Sequence, residues 1–345
     1  MNSTKLSVSL LIIAIIGVLL YLAETFLGGF NLQLVRLVGI NSIIAIGVNI
    51  TNGYTNIFSL GFGGIMLVAA YTSIMFTMPI SYKEAALHLP MWLEQAQLPF
   101  LPAMLIGAVL GVVTSVVLVL PAFRLRGHYF ILASMGINLV IANLAENMHD
   151  YTQGSHGLRN VPSYTDSWWI YGILLLTVIF VWRLMHSKYG RALISISKDQ
   201  RLAAVMGVDI VRYKIYSFII GSFIVAIGGV LWVHLIQCIN PQAFNLMFVF
   251  ELIAMLAIGG IGTISGAILG ATIVTLFTQA AAPIQEGFVL FGQNIPPMYG
   301  LVNLLMAIII IIIMIYRPDG IMRGKEFSFD SIFRRFRNSP ERIEK

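Results

Sequence analysis

Seven basic side chains crowd one polar stretch between residues 183 and 214: Arg183, Lys188, Arg191, Lys198, Arg201, Arg212 and Lys214, against only Asp199 and Asp209. Cations at this spacing build no nucleophile, proton relay or metal cage; what they can do is pair with charge and dock on a surface. The remaining reactive residue types add no bond-making chemistry. Gly320-Ile-Met-Arg-Gly-Lys-Glu326 lacks the spacing and the Ser/Thr of a phosphate-binding loop, and Gly260-Ile-Gly262 follows no soluble strand. His88, His128, His149, His156, His186 and His234 show neither ligand spacing nor a paired Glu, and no nucleophile elbow is present. Cys238 is the single cysteine, which excludes an internal disulfide or a Cys-based metal cluster. The expected catalytic set is therefore empty, with no metal and no cofactor held by this chain. Arg36 and Glu251 fall inside or beside apolar runs, near their ends, where an Arg can snorkel to the interface.

The elements around the basic stretch are apolar. Hydrophobic residues make up 58% of the 345, charged residues 10%, and mean hydropathy is +0.87. Soluble domains carry about 25% charged residues, so the composition predicts a polytopic membrane protein. With about 20 residues needed per crossing, the runs 6–23, 33–50, 57–76, 100–121, 129–145, 168–182, 215–236, 247–259, 266–281 and 300–316 predict an all-α transmembrane helix bundle of ten spans. The run 247–259 is too short to cross alone, and continuous rather than alternating runs argue against a β-barrel. Lys5 precedes a first run without a clean cleavage site, predicting an uncleaved first span.

Charge placement tests the count. If Lys5 is cytoplasmic, ten spans also place 122–128, 183–214 and 317–345 inside, and these regions hold one, two, seven and eight of the 21 Lys/Arg. The outer loops keep Lys83 and Arg159, with Glu24, Glu84, Glu94, Glu146, Asp150, Asp166 and Glu286. This positive-inside asymmetry predicts both termini in the cytoplasm. The formal charge of +6 thus reports topology rather than nucleic-acid binding. A permease domain over 1–323, with its cytoplasmic loop at 183–214, and a basic tail over 324–345 is the expected division.

Glycine is concentrated in Ser59-Leu-Gly-Phe-Gly-Gly64 and Gly259-Gly-Ile-Gly-Thr-Ile-Ser-Gly266. Such clusters either let helices approach closely or leave bare backbone beside a polar pathway. Spans 2–5 and 7–10 lie five spans apart, an odd number, which predicts an inverted repeat. Within the basic loop, Asp199 is a good N-cap, Gln200 to Met206 favour helix and Gly207 supplies the stop. Leu202, Val205 and Met206 share one face of a helix about 10 Å long, too short to stand alone in water. It needs a surface: lipid headgroups, or a groove on a soluble partner.

Six segments, in order, resemble those of LivM-type permeases of branched-chain amino acid ABC importers. They are Asn52-Gly-Tyr-Thr-Asn-Ile-Phe-Ser-Leu-Gly61 with Ala69-Ala-Tyr71, Leu125-Arg-Gly-His-Tyr-Phe130, Thr152-Gln-Gly-Ser-His-Gly-Leu158, Ser187-Lys-Tyr-Gly-Arg-Ala-Leu193 through Ala203 to Gly207, Gly259 to Gly270, and Arg317-Pro-Asp-Gly-Ile321. Departures stand at Asn56, Phe62, Ala69 and His156, at Gln200 and Ala204 where many relatives carry acidic residues, and at Leu139 and Ala142 where a Glu and an Arg are common. The resemblance implies a non-enzymatic permease subunit in a bacterial cytoplasmic (inner) membrane. It implies a sister permease as heterodimer partner, two cytoplasmic ABC ATPase subunits that hydrolyse ATP, and an extracytoplasmic solute-binding protein.

By the same resemblance the Asp199–Gly207 segment is a coupling helix pressed into an ATPase, with Gly190, Arg191, Asp199, Arg201, Leu202, Ala203, Val205, Met206 and Gly207 as coupling residues. The expected solute is an amino acid, branched-chain first; urea or amides, nucleosides or sugars are the alternatives within the class, and an ATP-independent channel or ion-driven carrier lies outside it. Gly61, Gly63, Gly64, Gly260, Gly262, Ser265 and Gly266 are the candidates for lining the path.

Overall fold

A computed structural model describes residues 24–25, 28–87, 89–119, 121–125, 127–286, 288–290, 293–295, 300–317, 320–322 and 326. The expected first span, 6–23, and nearly all of the tail lie outside the described residues. Among the described residues fourteen helices follow in order: α1 Gly29–Asn52, α2 Phe62–Thr77, α3 Ile80–Ala86, α4 Met91–Glu94, α5 Phe100–Val119, α6 His128–Asn147, α7 His149–Thr152, α8 Ser167–Met185, α9 Lys188–Lys198, α10 Gln200–Val205, α11 Ile210–Ile236, α12 Leu246–Gly259, α13 Ile264–Glu286 and α14 Leu301–Tyr316. Seven helical segments among these residues are long and apolar enough to cross a membrane, while α2 and α14 are apolar but shorter. The chain is an all-α, multi-pass membrane bundle. The short expected span at 247–259 is lengthened by a 3-10 turn over Pro241–Phe244, so that Pro241–Gly259 forms one nineteen-residue crossing candidate.

The centre is α1 packed on α11. A methyl group on Gly47 would lie 3.0 Å from Gly221 O, and one on Gly221 2.8 Å from Gly47 O. Lipid supplies no hydrophobic drive for helices to associate, so such small-residue contact, with its close backbone approach, is what holds them. Around this pair the main pairings repeat: α2 with α5 as α12 with α13, α5 with α11 as α13 with α1, and α2 with α6 as α12 with α14. Exchanging α1 for α11, α2 for α12, α5 for α13 and α6 for α14 maps these pairings onto themselves, as an inverted repeat requires.

On the face opposite the basic loop, connecting segments form a cap. Leu158–Arg159 pairs antiparallel with Cys238–Ile239. Gln153, Gly154 and Gly157 take positive φ there, and a methyl group on Gly157 would collide with Ile239 O. His234, fully buried at the end of α11, ties the cap down. Its Nδ1 lies 2.8 Å from Pro162 O and its Nε2 3.1 Å from Ser73 Oγ. Phe100 and Tyr164 pack on the ring. Arg36 belongs to this face as well: its Nε donates to Ser167 Oγ at 3.0 Å, and its guanidinium lies 3.6 Å from Glu24 and 3.9 Å from Asp166. It staples α1 to α8. Lys83 is buried, with Nζ donating to Leu93 O at 3.2 Å and Ala96 O at 2.6 Å. Burial holds its pKa below the ordinary lysine value, against the opposing pull of Glu94.

Candidate functional site

The basic loop is built of two short helices. Ser187 Oγ accepts from Gly190 N at 3.4 Å and starts α9. A methyl group on Gly190 would collide with Met185 O, so the reversal from α8 into α9 needs a glycine at this position. Arg191 Nη1 donates to His186 O at 3.2 Å and secures the same corner. α9 buries Gly190, Leu193 and Ile196 and turns its polar residues outward. Sequence reasoning missed α9; its signals were the Ser187 cap and the i, i+3 spacing of Leu193 and Ile196.

α10 forms where expected. Asp199 Oδ1 accepts from Arg201 N at 2.7 Å and Leu202 N at 3.1 Å. At the other end Gly207, at φ +82°, closes a Schellman motif: Val208 N donates to Ala203 O at 3.1 Å and Gly207 N to Ala204 O at 3.0 Å. Ala203 faces inward at 2% exposure, whereas Leu202, Val205 and Met206 stand 65%, 85% and 82% exposed. Both ends are capped and the apolar face points away from the bundle. Covering side chains of this size is worth about 1.5–3 kcal/mol each. Behind α10, Gln200, Arg201 and Lys214 border a cavity of about 730 Å³, completed by Asn56, Phe58, His128 and neighbouring residues. Lys214 Nζ donates to Gln200 Oε1 at 3.2 Å, tying α10 to α11.

The two glycine clusters sit in helix seams. The first ends an irregular segment that runs from Asn56 into α2. Asn52 Oδ1 accepts from Ser59 N at 3.1 Å and Ser134 Oγ from Leu60 N at 2.9 Å, satisfying buried backbone that has left the helix. Gly61 borders Ser134, while a methyl group on Gly63 would meet Phe244 O at 2.5 Å and one on Gly64 would meet Ile141 Cδ1 at 2.7 Å. In the second, Gly259 presses backbone to backbone on Gly266 and Gly270. Gly260 and Gly262 turn at φ +124° and +80°, and Ser265 lies in the first turn of α13.

Asn49, fully buried in α1, holds the second cluster: its Oδ1 accepts from Gly262 N at 2.9 Å and its Nδ2 donates to Thr263 O at 2.9 Å. The carboxylate of Glu326 accepts from Ile264 N at 3.1 Å, at the start of α13, and from Tyr54 Oη at 3.0 Å. Burial first, then this carboxylate, raises the Tyr54 hydroxyl above the ordinary phenol range. Ile321 N donates to Ile258 O at 3.0 Å and Met322 N to Gly259 O at 3.1 Å, sealing the last carbonyls of α12. Asn49, Asn52, Ser134 and Glu326 were all missed from sequence; for Asn49, Ser134 and Glu326, partners 62 to 272 positions away leave no local pattern.

Along the outward side of α12 runs a groove of about 680 Å³, bounded by α13 and α14. It extends from Met247 to the turn at Ile261 just past the end of α12, about 18 Å of helix at 1.5 Å per residue, over half of a bilayer's apolar depth. Its walls are mainly aliphatic; Glu251, Thr278 and Asn303 are polar points at the end remote from the basic loop, and Asn52 lies at the near end. Among the described residues no group of three or more His, Cys, Asp or Glu side chains is arranged to hold a metal ion.

The family described as branched-chain amino acid transport system permease component matches residues 30–314. The chain is 20% identical over 314 residues to the high-affinity branched-chain amino acid transport system permease protein LivM of Salmonella typhimurium, covering 81% of this chain and 67% of the relative. It is 23% identical over 236 residues to the probable LivM of Methanocaldococcus jannaschii, covering 65% and 68%. It is 24% identical over 252 residues to the LivH permease of Salmonella typhimurium, covering 68% and 79%. No solved structure matches significantly.

Proposed function

We propose that this chain, which belongs to the permease family of branched-chain amino acid transport systems, forms part of the membrane path of an ATP-driven importer for a small polar solute, a branched-chain amino acid first. Similarity to both LivM and LivH supports pairing with a sister permease. The basic face then lies in the cytoplasm, where two ATPase subunits drive the pair and hydrolyse the ATP, and a binding protein delivers solute on the capped face.

The observation that carries this reading is α10. A six-residue helix capped at both ends, presenting Leu202, Val205 and Met206 to the surrounding medium, is a rigid apolar knob on a basic surface. An ATPase groove covering the knob would feel its displacement directly. Ala203 and the Lys214–Gln200 hydrogen bond would carry that displacement to α11, and α11 packs on α1 at the centre of the bundle. Alternating access then follows as rocking of helices about that pair, with the 260–266 turn and the 61–64 segment flanking the path. The solute undergoes no chemistry.

Reconstituted vesicles test the reading. Uptake of leucine is expected only when the ATPase subunits and ATP are supplied, and orthovanadate is expected to stop it. Uptake by the permeases alone would overturn it in favour of a channel or carrier.

A further inference from the structure

The groove on α12 contains an ionisable group in an otherwise apolar setting. Glu251 comes from α12, Asn303 from α14 and Thr278 from α13, and all three line the same groove. Counted along their helices they share a level: Glu251 is five residues past the start of α12, Asn303 two past the start of α14, and Thr278 eight before the end of α13. These are the helix ends toward the capped face, because α13 runs opposite to α12 and α14. Nothing among the described residues pairs with Glu251 or with Asn303. Thr278 uses its hydroxyl proton on Val274 O and Thr275 O, at 3.0 and 3.1 Å, which leaves its oxygen free to accept. An unpaired carboxylate inside a bilayer costs several kcal/mol unless it takes up a proton or a ligand or water meets it. Below it the wall is Leu256, Ala257, Ile310 and Ile261, with no charge.

A groove of about 680 Å³ is within the range of small-molecule sites. One end offers a carboxyl group, which a cationic ligand would hold ionised, with two neutral polar groups, and the rest offers aliphatic surface. A solute complementary to it carries an ammonium group on a compact apolar body. We propose that this groove is where the solute passes along the α12 edge of the bundle, with the Glu251 carboxylate receiving its ammonium group and Asn303 and Thr278 completing that polar end. The proposal deepens the importer reading and rests on it. It also separates ammonium-bearing solutes from urea, nucleosides and sugars, which give a carboxylate no counter-charge.

The test uses the full reconstituted importer and radiolabelled leucine. Glu251→Gln keeps the shape and removes the charge, so the maximal rate of leucine uptake is expected to fall about tenfold or more, the usual size of a charge-assisted hydrogen bond, while Glu251→Asp recovers most of the loss. A second variant reads the groove directly. Replacing Cys238 by Ser removes the only cysteine, and Ala307→Cys then puts one thiol on the α14 wall. A membrane-impermeant thiosulfonate is expected to label that thiol in the assembled importer, and leucine to slow the labelling several-fold. Unchanged kinetics in Glu251→Gln, or a thiol that leucine does not protect because a sister helix or lipid fills the groove, would overturn the proposal while leaving the importer reading intact. A wild-type importer that shows no ATP-dependent leucine uptake would overturn both.

Discussion

The two ends of this bundle treat glycine and apolar surface in opposite ways. At the cap, Gly157 has positive φ and no room for a single added carbon, because Ile239 O occupies the place where it would sit. At the end of α10, Gly207 also has positive φ, yet nothing lies within 4 Å of its missing side chain. The cap buries His234 completely and satisfies both ring nitrogens, while α10 leaves Leu202, Val205 and Met206 bare. One end is finished within this chain, and the other has the form of half an interface. The same residue type is a packing demand in one place and a chain-reversal device in the other.

That contrast is sharpened first by Gly157→Val. Strain at φ +66° and the overlap with Ile239 O are expected to destabilise the fold by about 3–5 kcal/mol, seen as a large drop in melting temperature in detergent. His234→Ala should follow at about 2–4 kcal/mol, since it leaves Pro162 O and Ser73 Oγ unpaired and opens a hole beside Phe100. Leu202→Asp inverts the pattern: melting is expected to move by less than about 0.5 kcal/mol, while ATP-driven uptake falls about tenfold or more, as loss of a central interface anchor does. A melting shift in Leu202→Asp as large as that in His234→Ala would break the comparison. Gly207→Ala should cost only about 1 kcal/mol, the backbone penalty without a clash.

The smallest effect belongs to Lys83. Its folded-state pKa is lowered, so the unfolded chain binds the proton more tightly in the window just below the ordinary value of 10.5. Stability must therefore rise with pH through that window. The melting temperature of wild type minus that of Lys83→Met is expected to increase as pH is raised toward 10.5; a decrease would contradict the burial argument.

Legibility from sequence followed the range of the interactions. The α10 helix was readable because Asp199 and Gly207 act on neighbours within three to five positions. Seven of the ten expected spans were readable because an uninterrupted apolar run of bilayer length is longer than a soluble core helix needs, and the short run at 247–259 required only the adjoining Pro241–Phe244 turn to reach crossing length. α9 was legible in principle, since its eleven residues are strongly amphipathic with Gly190, Leu193 and Ile196 on the buried side, but its Lys and Arg residues read first as a charged loop. Asn49 could not be found at all: its value lies in meeting Gly262 and Thr263 across the fold, and an Asn inside an apolar run has no sequence mark that separates a bridge from a path-lining group. Arg36 shows the same limit, since its ion pairs with Glu24 and Asp166 turn an apparent intramembrane charge into a staple.

The central claim, that α10 is the unfinished half of a contact with a motor, is tested most directly by photocrosslinking from position 202 or 206 in assembled importer. The account predicts capture of a cytoplasmic ATPase subunit, with a yield that changes between ATP-bound and nucleotide-free states. Capture of phospholipid alone, in both states, would contradict it.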